Sequence, residues 1–429
     1  MVLSSVRVAI IGCGNRGLIY ANYALSYPEE LKVVAVADPN KIRRENLANL
    51  HGIEDNKYIA NDWRVLVNYP KFCDAVIIAT QDQDHVEPTI AFSNLKYHIL
   101  LEKPMSNNLK ECEMIYDTIN KNNVLFAVGH VLRYTPINTK IMELILSDEI
   151  GNITSIQHLE PVGYHHFTHS FVRGNWRNEK ESSFVLMAKC CHDIDLLTHY
   201  LNGRKWNKVS SFGNLFHFKK QNKPLEAGDS KICLECPIKN TCAASAKSIY
   251  LDTFETKDKT NYWMLDRISD IIDIENITNV LKNGPYGRCV YECDNDVCDN
   301  QVVNIEFEGG INVSFMMAAF TELMCKRKTT IFGDKGELIS DGSNLITVYN
   351  FLTKEKKEYD LSDQMTGLGA SGHGGGDFSL VKAFVNSIKH NDSSYILCDA
   401  KQALDSHKLV FAAEKSRLTD KVIYYNSFN

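Results

Sequence analysis

Three glycines at fixed spacing, Gly12, Gly14 and Gly17, separate an apolar run from a helical pattern. The run, Val6–Ile11, is nearly continuous in apolar residues and rich in Val and Ile. That is how a strand buried on both faces reads. Few folds use such a junction. The first glycine permits a tight turn, the second lets the backbone approach a pyrophosphate, and the third lets helix and strand pack closely. The helix that follows, with Asn15 and Arg16 in its first turn, offers free N–H groups and a positive dipole end to phosphates. A second strand, Lys32–Ala37, ends in Asp38. An acid about 20 residues past the loop suits a ribose 2′-OH. A carboxylate there would repel a 2′-phosphate, so NAD is expected over NADP. Arg43 and Arg44 follow closely and soften that preference.

The same texture continues to about residue 130. Ala75–Ala79, His98–Leu101 and Val124–Val128 read as strands, with helical patterns at Glu87–Ser93 and Leu109–Lys121. This alternation predicts an α/β fold, an N-terminal doubly wound parallel sheet of Rossmann type. Beyond it, Ile153–Leu159, Val302–Phe307, Ile311–Met317, Lys328–Phe332 and Leu345–Asn350 read as longer strands. Helices are expected at Cys191–Leu201, Phe378–Lys389 and Ala400–Ser416. These predict an α+β domain with a large, mostly antiparallel open sheet. The expected domains are therefore 1–130, nucleotide-binding, and 131–429, substrate-binding and oligomer-forming, with a cysteine-rich insertion at about 210–300.

Composition narrows the class. Hydrophobic residues are 44% and charged residues 23% of 429, which excludes a mainly disordered chain. With 47 basic against 53 acidic residues, no field draws the chain onto nucleic acid or an anionic membrane. No run approaches the roughly 18 apolar residues of a membrane span. The N-terminal apolar run leads straight into the glycine loop and reads as a strand, not a secretion signal. Thirteen cysteines are then expected as reduced thiols in the cytoplasm.

The fifth strand ends in Leu101-Glu102-Lys103-Pro104. Strand tips at the carboxyl edge of a parallel sheet face the ligand crevice, and Pro104 disfavours helix at Lys103. A lysine there can hydrogen-bond a substrate hydroxyl or donate to a carbonyl oxygen. Taken alone, it is more often a solvated surface residue. Val8–Gly17, Asp38, Ala79-Thr80, His85, Glu102-Lys103-Pro104 and Gly129-His130 stand in one order. In that order the chain resembles the Gfo/Idh/MocA oxidoreductases, relatives of glucose–fructose oxidoreductase and inositol dehydrogenase. The resemblance is strong over the N-terminal domain and looser through His192-Asp193-Ile194-Asp195. It implies hydride transfer between a nicotinamide and a sugar, inositol or related polyol, and a homodimer or homotetramer built on the open sheet. It puts Thr80, His85, Glu102 and Lys103 at the cofactor, and Lys103 matches the family's catalytic lysine. His130, Arg133 and Asp195 are expected at the substrate.

The family usually opens a helix of its second domain with D-x-x-x-H-x-x-D. Here His192 and Asp195 match the second half, but Ala188 stands in place of the first aspartate, followed by Lys189. The acid/base role then falls to His192, Lys189, Lys103 or a residue from elsewhere, with Tyr164 a further candidate. Histidine suits proton transfer near neutral pH, although His192 also reads as a capping or core residue. The stretch Glu160–Arg177 is dense in sugar-binding types, and Tyr164, His165, His169, Arg173 and Trp176 are its candidates. Aromatic faces stack on pyranose C–H surfaces, while Arg and His bond hydroxyls. Its histidines lack a helical register and a carboxylate cluster, so no catalytic metal is expected.

Two features remain. Cys233-x2-Cys236-x5-Cys242 and Cys289-x3-Cys293-x4-Cys298 lie in the insertion. Cys-x2-Cys supplies two thiolates at one turn, as tetrahedral zinc needs. A four-cysteine site can draw Cys233, Cys236, Cys242 and one residue of the second group; the alternatives are free thiols or a lid over the active site. Gly367–Asp377 reads as a flexible glycine loop at the substrate pocket, with Asp377 capping the next helix. The function expected is an NAD-dependent oxidoreductase acting on a sugar, inositol or polyol. A glycoside hydrolase that recycles tightly held NAD would differ in consuming no cofactor. A nucleotide-sensing regulator would turn over no sugar.

Overall fold

The computed structural model describes residues 5–256, 259, 261–365 and 373–428. The chain first lays down β1 (Val6–Ile11), β2 (Leu31–Ala37), β3 (Ile59–Ala60), β4 (Ala75–Ile78), β5 (His98–Leu101) and β6 (Phe126–Val128). They form one sheet in the order β3-β2-β1-β4-β5-β6, and all five neighbouring pairs are parallel. The order reverses between β1 and β4, the switch point where such sheets bind ligands. The strands are apolar on both faces because both are covered. Val8, Ile10, Ile77 and Leu100 face one core, and Ile11, Val76, Ile78 and Leu101 the other. Helix Leu109–Asn122 starts where Asn108 accepts from Lys110 N and Glu111 N, satisfying orphan donors of the first turn.

A second sheet has nine strands among the described residues. They are β7 (Ile153–Pro161), β8 (Trp206–Asn214), β9 (Asn300–Phe307), β10 (Ile311–Ala318), β11 (Lys328–Gly333), β12 (Gly336–Ser340), β13 (Leu345–Asn350), β14 (Lys356–Asp360) and β15 (Ile423–Tyr424). The order is β14-β13-β12-β11-β7-β10-β9-β8-β15. The pairs β9/β10, β8/β9, β12/β13, β13/β14 and β8/β15 are antiparallel. Strand β10 shows why one face is enough: Ile311, Val313, Phe315 and Met317 are buried, and the residues between them are not. Period-two alternation is what a sheet covered on one side requires.

Two compact units interleave along the chain. The first holds residues 1–155, 191–205 and 331–412; the second holds 156–190, 206–330 and 413–429. The insertion in the second unit has its own apolar core of Ala246, Ile249, Tyr250, Met264, Leu265, Ile277 and Leu281. Helix Ile274–Asn283, capped by Asp273, contributes two of these. The sequence reading found little periodicity here, because short turns dominate and, among the described residues, only this helix is long enough to show one.

Candidate active site

Gly12 follows β1 with φ +93°, and a Cβ there would stand 2.4 Å from Ala79 O. A Cβ on Gly17 would stand 2.0 Å from Gly12 O. Both glycines are thus required by the chain's own packing. Gly14 is different: a Cβ would meet nothing within 4 Å. Among the described residues no atom explains that glycine, and open space at the loop suits a phosphate approaching the backbone. Asp38 ends β2 nearly buried, and its carboxylate accepts from Cys13 N and Asn40 N, both at 2.7 Å. It therefore ties the glycine loop to the second strand. Arg44 is held against Asp38 O and Pro39 O.

Arg16 points inward. Its Nε donates to Glu102 Oε1 and its Nη2 to Asp377 Oδ1, each at 2.5 Å. Tyr20 also donates to Glu102 Oε1, at 2.8 Å. Burial alone would raise the Glu102 carboxyl, but the Arg16 guanidinium and Lys103 outweigh it and hold it low. Glu102 Oε2 in turn accepts from Lys103 N at 2.6 Å. Arg16 and Glu102 are thus engaged with each other, and they brace the Lys103 backbone.

The turn after β5, whose Lys103–Pro104 peptide is cis, is clamped on both sides. His85 is fully buried, with Nδ1 2.6 Å from Pro104 O and Nε2 3.3 Å from Thr80 O. This ring positions the turn. On the other side Met105 N donates to His407 Nε2 at 3.0 Å. Burial lowers the His407 pKa to about 3, as an imidazole that must keep an acceptor nitrogen requires. The sequence reading placed His407 in a helix and gave it no role.

His407 belongs to a histidine cluster in the same unit. The His130 ring lies 5.5 Å from that of His407 and 5.6 Å from that of His192, edge to face. His373 lies 5.7 Å beyond His192. Burial first, then Arg133 and Lys103, pull the His130 pKa down to about 4 despite Asp195, so this imidazole is neutral at pH 7. Lys103 therefore lies within electrostatic reach of the cluster that contains His192. His373 Nδ1 stands 3.3 Å from Asp377 Oδ2. Gly367 to Gly372 of the glycine stretch lie outside the described residues. Asp377 does not cap its helix, Gly376–His390, whose N-cap is Gly375. The Arg16 pair takes it instead. A short glycine-rich motif gave no sign that its His and Asp would reach the first unit's histidines.

Burial corrects several substrate candidates. Arg133 Nε and Nη2 clasp Asp195 Oδ2 and Oδ1, each at 2.7 Å, and Arg133 also donates to Leu397 O. Burial pushes the Asp195 carboxyl up, Arg133 more than offsets it, and the pKa falls to about 2. This pair is structural. The donor atoms of His130, Asp195 and Cys398 lie within 4.8 Å of one another, but Arg133 already supplies the cation there. His130 is fully enclosed, and His169 is buried with Nδ1 2.9 Å from Tyr250 Oη. Arg173 is 0% exposed and points into the cysteine insertion.

The second unit keeps Tyr164, His165, Trp176 and Lys189 partly exposed. His165 Nδ1 lies 2.8 Å from Asn261 Nδ2. Lys189 Nζ lies 3.0 Å from Cys325 Sγ and 3.4 Å from Glu160 Oε1. Burial would lower its pKa, but Cys325 and Glu160 raise it well above the usual lysine range. Lys189 is thus a fixed cation and cannot serve as a base near neutral pH.

Residues 6–130 match the oxidoreductase family's NAD-binding Rossmann fold, and residues 142–424 match its C-terminal alpha/beta domain. The chain belongs to the Gfo/Idh/MocA oxidoreductase family. Among its relatives is a putative oxidoreductase, YteT, of Bacillus subtilis, 24% identical over 81% of this chain and 79% of that protein. Oxidoreductase P35 of Formosa agariphila is 32% identical over 46% of this chain and 61% of its own length. The scyllo-inositol 2-dehydrogenase (NAD(+)) of Bacillus subtilis is 28% identical over 49% of this chain and 58% of its own length. The match thus spans little more than half of these last two. An Agrobacterium radiobacter oxidoreductase in complex with NAD+, L-tartaric acid and magnesium shares the fold at TM-score 0.70, with 13% identity over 99% of both chains. Lactobacillus casei scyllo-inositol dehydrogenase with bound NAD(H) and scyllo-inositol does so at 0.65, with 17% identity over 98% of this chain and 99% of that one. This Gfo/Idh/MocA chain is an NAD-binding oxidoreductase. Among its described residues, no helix is long and apolar enough to cross a membrane.

Proposed function

We propose that this chain is an NAD-dependent dehydrogenase acting on a secondary hydroxyl of a sugar, inositol or related polyol. The observation that carries the reading is the clamped Glu102-Lys103-Pro104 turn beside the histidine cluster of His130, His192 and His407. Gly12, Gly14 and Gly17 would cradle the pyrophosphate, and Asp38 would accept from the adenine ribose, which favours NAD over NADP. Thr80 and Lys103 would border the nicotinamide end. The cofactor, when bound, supplies the hydride acceptor. Lys103 donates a hydrogen bond from its ammonium to the reacting hydroxyl oxygen and stabilises the negative charge that develops there. His192 takes the hydroxyl proton. His373, next in line and tied to Asp377, offers that proton a path onward. In the second unit Lys189 is held protonated, and Tyr164, His165 and Trp176 are that unit's candidates for sugar contact.

The inositol dehydrogenases among the relatives support the substrate class, and the thirteen cysteines, none of them in a disulfide, suit a reducing compartment such as the cytoplasm. The outward row Phe212–Val302–Met316 across β8, β9 and β10 is apolar and supports assembly of copies through the sheet. Phe212 is 65% and Met316 43% exposed. The deciding experiment compares wild type with Lys103→Ala in a screen of inositols, free sugars and polyols for NADH formation. Turnover by wild type and its loss in a variant that still binds NAD is the expected result. Unchanged turnover in Lys103→Ala would sink the assignment.

A further inference from the structure

Arg173 poses a charge problem. Its guanidinium is 0% exposed, and its hydrogen bonds go to Arg288 O at 2.8 Å, Ala244 O at 2.7 Å and Cys233 Sγ at 3.2 Å. Nη1 is buried with no hydrogen-bond partner. None of these partners is a carboxylate. A buried cation held by carbonyls alone is costly, and such charges are ordinarily paired. Of these three hydrogen-bond partners, the sulfur alone can carry negative charge.

That sulfur is one of four. Cys233 and Cys236 flank a single turn, and Cys242 follows it. An antiparallel bridge between Ile232 and Arg288, with Cys289 N donating to Lys231 O at 2.7 Å, brings in a fourth cysteine from far along the chain. Cys233, Cys236, Cys242 and Cys289 line one small cavity. Its interior is about 20 Å³, room for roughly one water-sized body and too little for an iron–sulfur cluster.

We propose that Cys233, Cys236, Cys242 and Cys289 bind one Zn2+ ion as a structural four-thiolate site, with Arg173 as its buried counter-charge. Zinc takes four cysteines tetrahedrally at about 2.3 Å. Each thiol gives up its proton to solvent as its Zn–S bond forms, so affinity rises with pH. Four thiolates and one Zn2+ leave a net double negative charge, which gives Arg173 its anion. Among the described residues no three of these sulfurs yet lie within 4.8 Å of one another. Binding must therefore draw the thiols inward by side-chain rotation. Cys293, whose Sγ donates to Cys289 O at 3.3 Å, is not among the cavity's lining and serves as the control.

The test uses the full chain, purified without chelator or histidine tag, with metals measured by mass spectrometry. About one zinc per chain is expected to survive gel filtration, as for structural sites. An organomercurial titrated into native wild type should release it. Cys236→Ser and Cys289→Ser should lose the zinc, whereas Cys293→Ser should keep it. Cobalt substituted into wild type should show the thiolate-to-cobalt charge-transfer band of a tetrahedral sulfur site, a readout that needs no variant to fold. Iron with acid-labile sulfide would overturn the proposal. So would zinc-free protein that gives no such band with cobalt. Dehydrogenase activity enters none of these readouts, so this proposal and the catalytic one fail separately.

Discussion

Replacing Asp195 by Ala should cost the first unit several kcal/mol, and the structure gives two routes to the figure. Asp195 is 1% exposed and receives two hydrogen bonds from an Arg133 that is 3% exposed. Removing the carboxylate strands a buried guanidinium, which costs about 3–5 kcal/mol. The titration route gives less. The carboxyl falls from 3.8 to about 2 on folding, which corresponds to roughly 2–3 kcal/mol. The first figure is larger because it includes the orphaned Arg133, and it is the one expected. The sign follows from the depressed value. The stabilisation is complete above the unfolded carboxyl range and is lost as pH falls through the folded one. The gap between wild type and Asp195→Ala should therefore be full at pH 7 and narrow from about pH 4 towards pH 2. Scanning calorimetry at pH 7 should show the melting temperature of Asp195→Ala lower by roughly 6–20 °C, at about 2–4 °C per kcal/mol. The double variant Arg133→Met/Asp195→Leu should recover most of it, because both charges leave together. A loss under about 1 °C in the single variant, or a double variant no better than Asp195→Ala, would refute the reasoning.

The glycine loop offers a contrast within one motif. Gly14→Ala should leave thermal stability nearly unchanged yet weaken NAD binding tenfold or more in a fluorescence titration, since its Cβ meets only the space a phosphate needs. Gly12→Ala should instead lower the melting temperature, because its Cβ would strike Ala79 O and its φ is +93°. His373→Ala should lower kcat about tenfold at saturating NAD with little change in KM. It should also flatten the acid limb of the pH–rate profile, a change that a purely structural residue would not produce.

The parallel sheet was legible because its strands are buried on both faces and so print as apolar runs. The places of Asp38 and Lys103 just past strand ends were legible because those ends are fixed by the strands themselves. Other parts left weaker marks. Trp206–Asn214 and Lys356–Asp360 form strands, but the second is almost wholly exposed and carries no apolar period. Arg173 was read as a substrate ligand because Arg is a residue type that bonds hydroxyls, and Arg133 was set at the substrate with His130 and Asp195. Burial decides between that role and an internal ion pair, and burial of a single Arg is a tertiary property. His85, His407 and Asp377 support the site through contacts spanning up to 361 residues, a range over which local pattern says nothing.

Those long-range contacts bear on the aspartate missing at position 188. A histidine that accepts a proton works best with a neighbour that fixes its ring and takes up charge. His130 cannot take up charge, because burial and Arg133 keep it neutral. His407 cannot either, since it must accept from Met105 N. His373 can: it is partly exposed, lies beside His192, and has a carboxylate 3.3 Å from its Nδ1. Asp377 is itself held ionised by Arg16 and His373 against its burial. The arginine that closes the glycine loop thereby also keeps charged the carboxylate behind the acid/base histidines. Disturbing Arg16 should therefore slow proton transfer and also loosen the Glu102 brace on the Lys103 backbone, read as a lower kcat in Arg16→Ala.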